Sequence, residues 1–243
     1  MTSNPPMMQG KKNDLVRGTR SGPSFYAGKR TPSRASFLLD FFHSLLRIYG
    51  PQGWWPSKTG TRWEIVSGAV LVQNTAWGNV EKALTNLEAK DLTTPDRILA
   101  EPEDSLQEII RPAGFYRQKC VYLKETARFF LENESRFLAS NNIPDMRRSL
   151  LNVRGIGRET ADDILLYAFY KPLFIIDAYT RRVASRHMNI RGEIPYDDLQ
   201  KIFTDELPPD VKLYGEFHAL ILALCKDSCR KSGCGDTCRT IRL

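Results

Sequence analysis

The residue best placed to do chemistry is Asp177, because it ends the apolar run Leu173 to Ile176 and is followed by Ala178, Tyr179, Thr180, Arg181 and Arg182. A carboxylate behind such a run is expected to be partly desolvated, a setting in which it can stabilise developing positive charge or take a proton from water. Its alternative role is to cap the helix that follows. Eighteen residues earlier stands Glu159, within the segment LLNVRGIGRETADDILLYAF from Leu150 to Phe169. That segment reads as a helix end, a Gly-Ile-Gly turn and a second amphipathic helix. Gly155 and Gly157 permit positive φ and close backbone approach, so successive amides and the start of the next helix can point at one phosphate. A phosphate held there gives position without reading sequence; standing alone, the turn is equally the corner of an ordinary helix-turn-helix. The third chemical signal is Cys225, Cys229, Cys234 and Cys238, spaced C-x3-C-x4-C-x3-C in a chain with five cysteines. Clustering of this kind in an intracellular protein points to a metal site. Cys120 instead falls on the apolar stripe of its helix and reads as core, as do His43 and His218, which sit among apolar residues.

These groups need elements to hold them, and the elements are helices. Phe37, Leu38, Phe41, Phe42, Leu45, Leu46 and Tyr49 recur at helical spacing, with Ser36 as N-cap and Gly50 as stop. Further helical patterns run through Ile65, Val66, Ala69 and Val70, through Val80 to Leu87, from Thr94 and Pro95, over Ser105 to Ile110, and from Cys120 to Leu131. Strand signals are almost absent; the four residues Leu173 to Ile176 suit an extended stretch or a buried helical connection. The class is all-α. At 243 residues and 42% hydrophobic content, the chain can bury one substantial core or two small ones. No apolar stretch is long enough to cross a membrane and no signal-peptide core precedes the body, so an intracellular protein is expected. Residues 1–35 form a flexible basic tail: Lys11, Lys12, Arg17, Arg20, Lys29, Arg30 and Arg34 against Asp14 alone account for most of the net charge of +7. The tail is either a nonspecific DNA tether or a solubilising extension.

From about residue 36 to 238 the chain resembles the helix-hairpin-helix, Gly/Pro-Asp superfamily of DNA glycosylases, in its endonuclease III branch. Arg154, Gly155, Gly157, Arg158 and Thr160 match the family's DNA-binding hairpin, and Asp177 matches its catalytic aspartate. Gln73, in LVQNTAWGNV from Leu71 to Val80, matches a glutamine that fills the gap left by the flipped base. The resemblance implies a two-lobed helical fold. A six-helix barrel over 61–171 would face a second lobe made of 36–60 and 172–243, with double-stranded DNA carrying a damaged base as partner and a monomer as the working form. It also implies a [4Fe-4S] cluster on the four C-terminal cysteines, although the spacing departs from the family's C-x6-C-x2-C-x5-C and leaves structural zinc as the alternative.

Glu159 stands where bifunctional members carry the lysine that attacks the sugar, and a carboxylate cannot form an imine. The expectation is therefore a monofunctional enzyme without lyase activity. Trp54, Trp55 and Pro56, Trp77 four residues after Gln73, and RPAGFYRQK from Arg111 to Lys119 are similar to the 3-methyladenine glycosylase III group. There a Trp-Trp-Pro segment and an aromatic near the glutamine form the base pocket. Indole faces suit a cationic alkylated purine, an activated leaving group that needs little acid help. One departure is that the group's pocket lysine after Phe-His has no counterpart, since Ala219, Leu220, Ile221 and Leu222 follow Phe217 and His218. A glycosylase for mismatched, deaminated or oxidised bases, and a non-catalytic hairpin module that binds DNA, are the competing readings.

Overall fold

The computed structural model describes residues 34–53, 55, 58–190 and 193–241. Trp54, Pro56 and nearly all of the basic tail lie outside the described residues. The described residues all belong to one compact unit, which is helical as expected. Helix α1 (Arg34–Tyr49) buries Leu38, Phe41, Phe42 and Leu45 against α10 (Tyr196–Glu206) and α11 (Val211–Asp227). Gly50 ends it as expected, its amide donating to the Leu46 carbonyl. Ser36 is not the N-cap: the helix begins two residues earlier, and the Ser36 hydroxyl instead donates to Asp40 one turn on. His43 is exposed rather than packed in the core.

Helix α2 (Arg62–Leu71) starts at Thr61, whose hydroxyl accepts from the Glu64 amide. Trp63, Ile65, Val66, Gly68, Ala69, Val70 and Leu71 are all buried. A helix apolar on every side belongs at the centre of a fold, and α2 packs on α3 (Trp77–Ala89), α6 (Tyr116–Ala139) and the turn over Ile164–Ala168. Two short helices, α4 (Pro95–Ala100) and α5 (Glu103–Ile109), and a 3-10 turn at Arg111–Ala113 lead into α6, followed by α7 (Ile143–Leu151).

Helix α8 (Arg158–Asp163) continues into a π-helical turn over Ile164–Ala168, closed by the Phe169 amide on the Ile164 carbonyl. The turn packs against both α2 and α11. Residues Leu173 to Ile176 are an irregular connection with Phe174, Ile175 and Ile176 buried, neither strand nor helix. They deliver the chain to α9 (Ala178–His187). After α11, a hairpin not anticipated from the sequence, β1 (Cys229–Arg230) and β2 (Gly233–Cys234), pairs Cys229 with Cys234 and leads into α12 (Asp236–Thr240).

One polar network holds α8 in place. Asp162, fully buried, accepts from Arg147 Nε on α7 at 2.6 Å and from Gln200 Nε2 on α10 at 2.7 Å. Gln200 also donates to the Phe174 carbonyl, and Arg147 reaches Asp197 at 2.9 Å. A buried carboxylate is tolerated when its lone pairs are matched this way, and the match fixes α7, α8 and α10 together.

Candidate active site and metal centre

Asp177 is the N-cap of α9: its Oδ1 accepts from the Thr180 amide at 2.6 Å. The other oxygen, Oδ2, stands 3.5 Å from His218 Nε2 on α11. Only 9% of the residue is exposed. Burial pushes its pKa up, but His218 and Thr180 outweigh burial and leave it below the ordinary value. The two readings open for Asp177 are therefore compatible, since capping uses one oxygen and leaves the other aimed at the interior. His218 is buried, as a core histidine would be, yet it belongs to the site: its Nδ1 bonds the Tyr167 hydroxyl at 2.9 Å. The sequence offered no local signal for either contact, because Asp177 and Tyr167 lie 41 and 51 residues before His218.

Glu159 and Asp163 lie near the same carboxylate. Desolvation first, then the Asp177 charge, raises Glu159 to about 7, with His218 and Arg181 pulling the other way. Glu159 as a whole is solvent-accessible, so its carboxyl is screened more than that of Asp163. Burial, with Glu159, Asp177 and Asp162 close by, pushes Asp163 well above the carboxylate range.

An aromatic cluster adjoins this group. The Trp55 ring meets Tyr167 at 4.9 Å between centroids and Trp77 at 5.3 Å, edge to face. Gly68 makes the approach possible: a Cβ there would lie 3.1 Å from Trp55 and 3.6 Å from Trp77. A glycine in an otherwise apolar helix is the signal that the sequence held for it. The contact chain Trp77–Trp55–Tyr167–His218–Asp177 is unbroken. Trp55 and Trp77 touch edge to face, which leaves no room for a flat ring between the two indoles.

The hairpin turn is as expected in outline. Gly155 takes φ +91°, but Gly157 has φ −90° and caps α8, so only one of the two glycines uses the left-handed region. Gly155 is also sterically required, since a Cβ would fall 2.1 Å from the Tyr122 ring. Gln73 donates to the Gly155 carbonyl at 2.9 Å and to the Thr160 hydroxyl at 3.1 Å, tying its loop to the hairpin. Arg154 is exposed, while Arg158 pairs with Asp197 at 3.2 Å.

Two residues near the Gln73 loop were not singled out individually in the sequence. Phe115 is 66% exposed on left-handed backbone, φ +46°, an unusual pairing for a bulky residue. Lys119 is 2% exposed and donates to the carbonyls of Leu71 and Ala113, each two residues before Gln73 and Phe115 respectively. It thus holds the two loops side by side, and desolvation lowers its pKa to about 8.

The cysteine cluster forms, with a changed membership. The donor atoms of Cys229, Cys234, Cys238 and His187 all lie within 4.8 Å of one another. Cys225, expected as a ligand, stands outside the set: it is buried near the end of α11, and its thiol donates to the Tyr179 carbonyl at 3.9 Å. The geometry has a local cause. Arg186 Nη1 approaches Cys229 Sγ at 3.6 Å and donates to the Arg230 carbonyl at 2.6 Å, while Arg182 donates to the Cys229 carbonyl at 2.9 Å. These bonds dock the hairpin on the last turns of α9, where His187 sits. Three thiols and an imidazole are donors that fit either an iron-sulfur cluster or a single soft metal ion.

Comparison with known proteins places this arrangement. The pattern described as HhH-GPD superfamily base excision DNA repair protein matches residues 67–209. A putative DNA repair glycosylase of Methanocaldococcus jannaschii is 43% identical over 210 residues, 85% of this chain and 94% of its own. The endonuclease III of Thermotoga maritima is 28% identical over 68% of this chain and 74% of its own. The H. pylori 3-methyladenine DNA glycosylase, solved with 1,N6-ethenoadenine, superposes with a TM-score of 0.65 at 27% identity, covering 80% of this chain and 98% of that one. An endonuclease III in a non-covalent DNA complex superposes at 0.68 with 19% identity, covering 84% and 90%, and shares the fold. The resemblance to the endonuclease III branch is thereby borne out, and the chain belongs to the HhH-GPD superfamily of base excision DNA repair proteins.

Proposed function

We propose that this protein is a monofunctional DNA N-glycosylase that flips a damaged base out of double-stranded DNA and hydrolyses its glycosidic bond, with an alkylated purine such as 3-methyladenine as substrate. The observation that carries the proposal is the unbroken contact chain from Trp77 and Trp55 through Tyr167 and His218 to Asp177. In this reading the two indoles are the stacking platform for the flipped base, and Asp177, whose pKa is held down, is the carboxylate that acts beside it. The base inserts from a groove between a barrel, 61–171, and a second lobe, 36–60 with 172–243, and the chain acts as a monomer.

In this reading the departing base leaves C1' with oxocarbenium character, which the ionised Asp177 stabilises while it orients the attacking water. A cationic alkylated purine stacks on indole faces through cation-π attraction and leaves readily, so no strong acid is needed at the base. Trp54 and Pro56 are proposed to complete the base pocket. Hydrolysis rather than lyase chemistry follows from Glu159, which stands where the attacking lysine would be and cannot form an imine. On the duplex, Arg154, Gly155, Gly157, Arg158 and Thr160 hold a phosphate, Gln73 fills the vacated stack, and the exposed Phe115 suits an apolar wedge between bases. The C-terminal cysteine cluster is a structural metal centre. It sits at the far end of α9 from Asp177, about 15 Å away along a ten-residue helix.

The H. pylori 3-methyladenine DNA glycosylase supports this substrate class. The thymine-DNA glycosylase of Aeropyrum pernix, 26% identical over 75% of this chain, supports the runner-up, a mismatched or deaminated base. Chromatography of bases freed from dimethyl-sulfate-treated DNA separates them: 3-methyladenine or 7-methylguanine is expected in the supernatant, with strands intact until heated in alkali. Release of thymine from G·T duplexes and no alkylated base would transfer the assignment to the runner-up. A covalent adduct trapped by borohydride would overturn the hydrolytic mechanism.

A further inference from the structure

We propose that the metal centre is a single tetrahedral zinc ion held by His187, Cys229, Cys234 and Cys238, with Cys225 outside the coordination sphere. The argument starts from size. With Zn–S about 2.3 Å and Zn–N about 2.0 Å, tetrahedral donors stand about 3.5–3.8 Å from each other. His187 Nε2 and Cys234 Sγ are 3.8 Å apart, and no two of the four donors exceed 4.8 Å. A [4Fe-4S] cubane binds each thiolate to a different iron at a different corner, and so spreads its ligands over a wider tetrahedron than one ion does.

Donor delivery gives an independent argument. The hairpin register sets Cys229 opposite Cys234, α12 brings Cys238, and the Cys238 amide donates to Ser228 Oγ at 3.2 Å, closing the knuckle. The fourth donor comes from α9, and Arg186 and Arg182 on that helix clamp the hairpin to it. The guanidinium of Arg186, 3.6 Å from Cys229 Sγ, steadies that side chain from outside the coordination sphere. Cys225 neighbours Cys229, but its thiol turns to the Tyr179 carbonyl in the first turn of α9, and it is not one of the four donors that all lie within 4.8 Å of one another. A cation at the C-terminal end of α9 also lies where the helix dipole favours it. The ion would join α9, the β1–β2 hairpin and α12, and so brace the helix whose other end carries Asp177.

The test is metal analysis of the full-length protein purified without oxygen, which is independent of any glycosylase activity. About one zinc per chain is expected, with neither acid-labile sulfide nor the brown colour of an iron-sulfur protein. Cys225→Ser should retain the zinc, His187→Ala should lose most of it, and His187→Cys should keep it. Should His187→Ala fail to fold, cobalt titration of the wild type decides the ligand set, because thiolate-to-cobalt charge-transfer intensity reports the number of thiolates: three are expected. Four irons with sulfide per chain, or metal lost in Cys225→Ser and kept in His187→Ala, or four thiolates on cobalt, would overturn the proposal.

Discussion

At the scale of single residues, the main lesson is how one carboxylate holds two roles. Asp177 could be recognised in the sequence because an apolar run ends abruptly in a charge, and that pattern is compatible with either a cap or a desolvated site. The structure assigns one oxygen to the Thr180 amide and leaves the other beside His218. His218 itself was illegible as a site residue: nothing near it in sequence distinguishes it from a core histidine. Glu159 was legible as a departure from the family's lysine, but its environment was not. Its ordinary pKa of 4.5 rises to about 7 on folding. Between those values the folded chain holds a proton that the unfolded chain has released, so stability falls as pH rises from about 4.5 to about 7. Glu159→Gln removes that penalty. Thermal melts should show the variant and wild type nearly equal below pH 4.5, and the variant more stable by about 2 °C or more at pH 8. A pH-independent difference would mean that Glu159 is not perturbed by folding.

At the scale of elements, helical periodicity found most of the helices, because an amphipathic or all-apolar pattern is enforced by the burial it produces. It failed where local chemistry decides. Ser36 has the composition of a cap but lies inside α1, and the β1–β2 hairpin is two residues per strand, too short for any alternation to be read. The π-helical turn that carries Tyr167 is equally invisible, since its sequence ILLYA is apolar at every helical spacing. The Gly-Ile-Gly turn was read correctly as a turn, yet its glycines are not equivalent. Gly155→Ala puts a Cβ into the Tyr122 ring at positive φ and should cost about 2 kcal/mol or more in urea unfolding. Gly157→Ala, at φ −90° with open space around it, should cost less, about 0.5–1 kcal/mol for an alanine at the N-cap of α8. Equal costs at the two positions would refute the packing of Gly155 on Tyr122.

At the scale of the whole molecule, what the sequence did not reveal is long-range and polar. The Arg147–Asp162–Gln200 network joins three helices through one fully buried carboxylate, and hydrophobic periodicity carries no information about such partners. Arg147→Met leaves Asp162 buried without its cation and should destabilise the fold by about 3 kcal/mol. The loss should be smaller at pH 5 than at pH 8, because an unpaired buried carboxyl can take up a proton as the pH falls. Chemical denaturation at the two pH values checks both statements; a loss below about 0.5 kcal/mol at pH 8 would show that the network does not hold α8. The same network sets the position of the hairpin helix, which in turn holds Glu159 and Asp163 against Asp177.

The central claim, that Asp177 performs glycosidic hydrolysis on a flipped alkylated base, is tested most directly by single-turnover release of 3-methyladenine from alkylated duplex DNA. Wild type and Asp177→Asn are compared with enzyme in excess. Asparagine keeps an oxygen for the Thr180 amide but loses the charge, so the rate should fall about 100-fold or more while DNA affinity and melting temperature change little. An Asp177→Asn variant that releases the base at the wild-type rate would contradict the account.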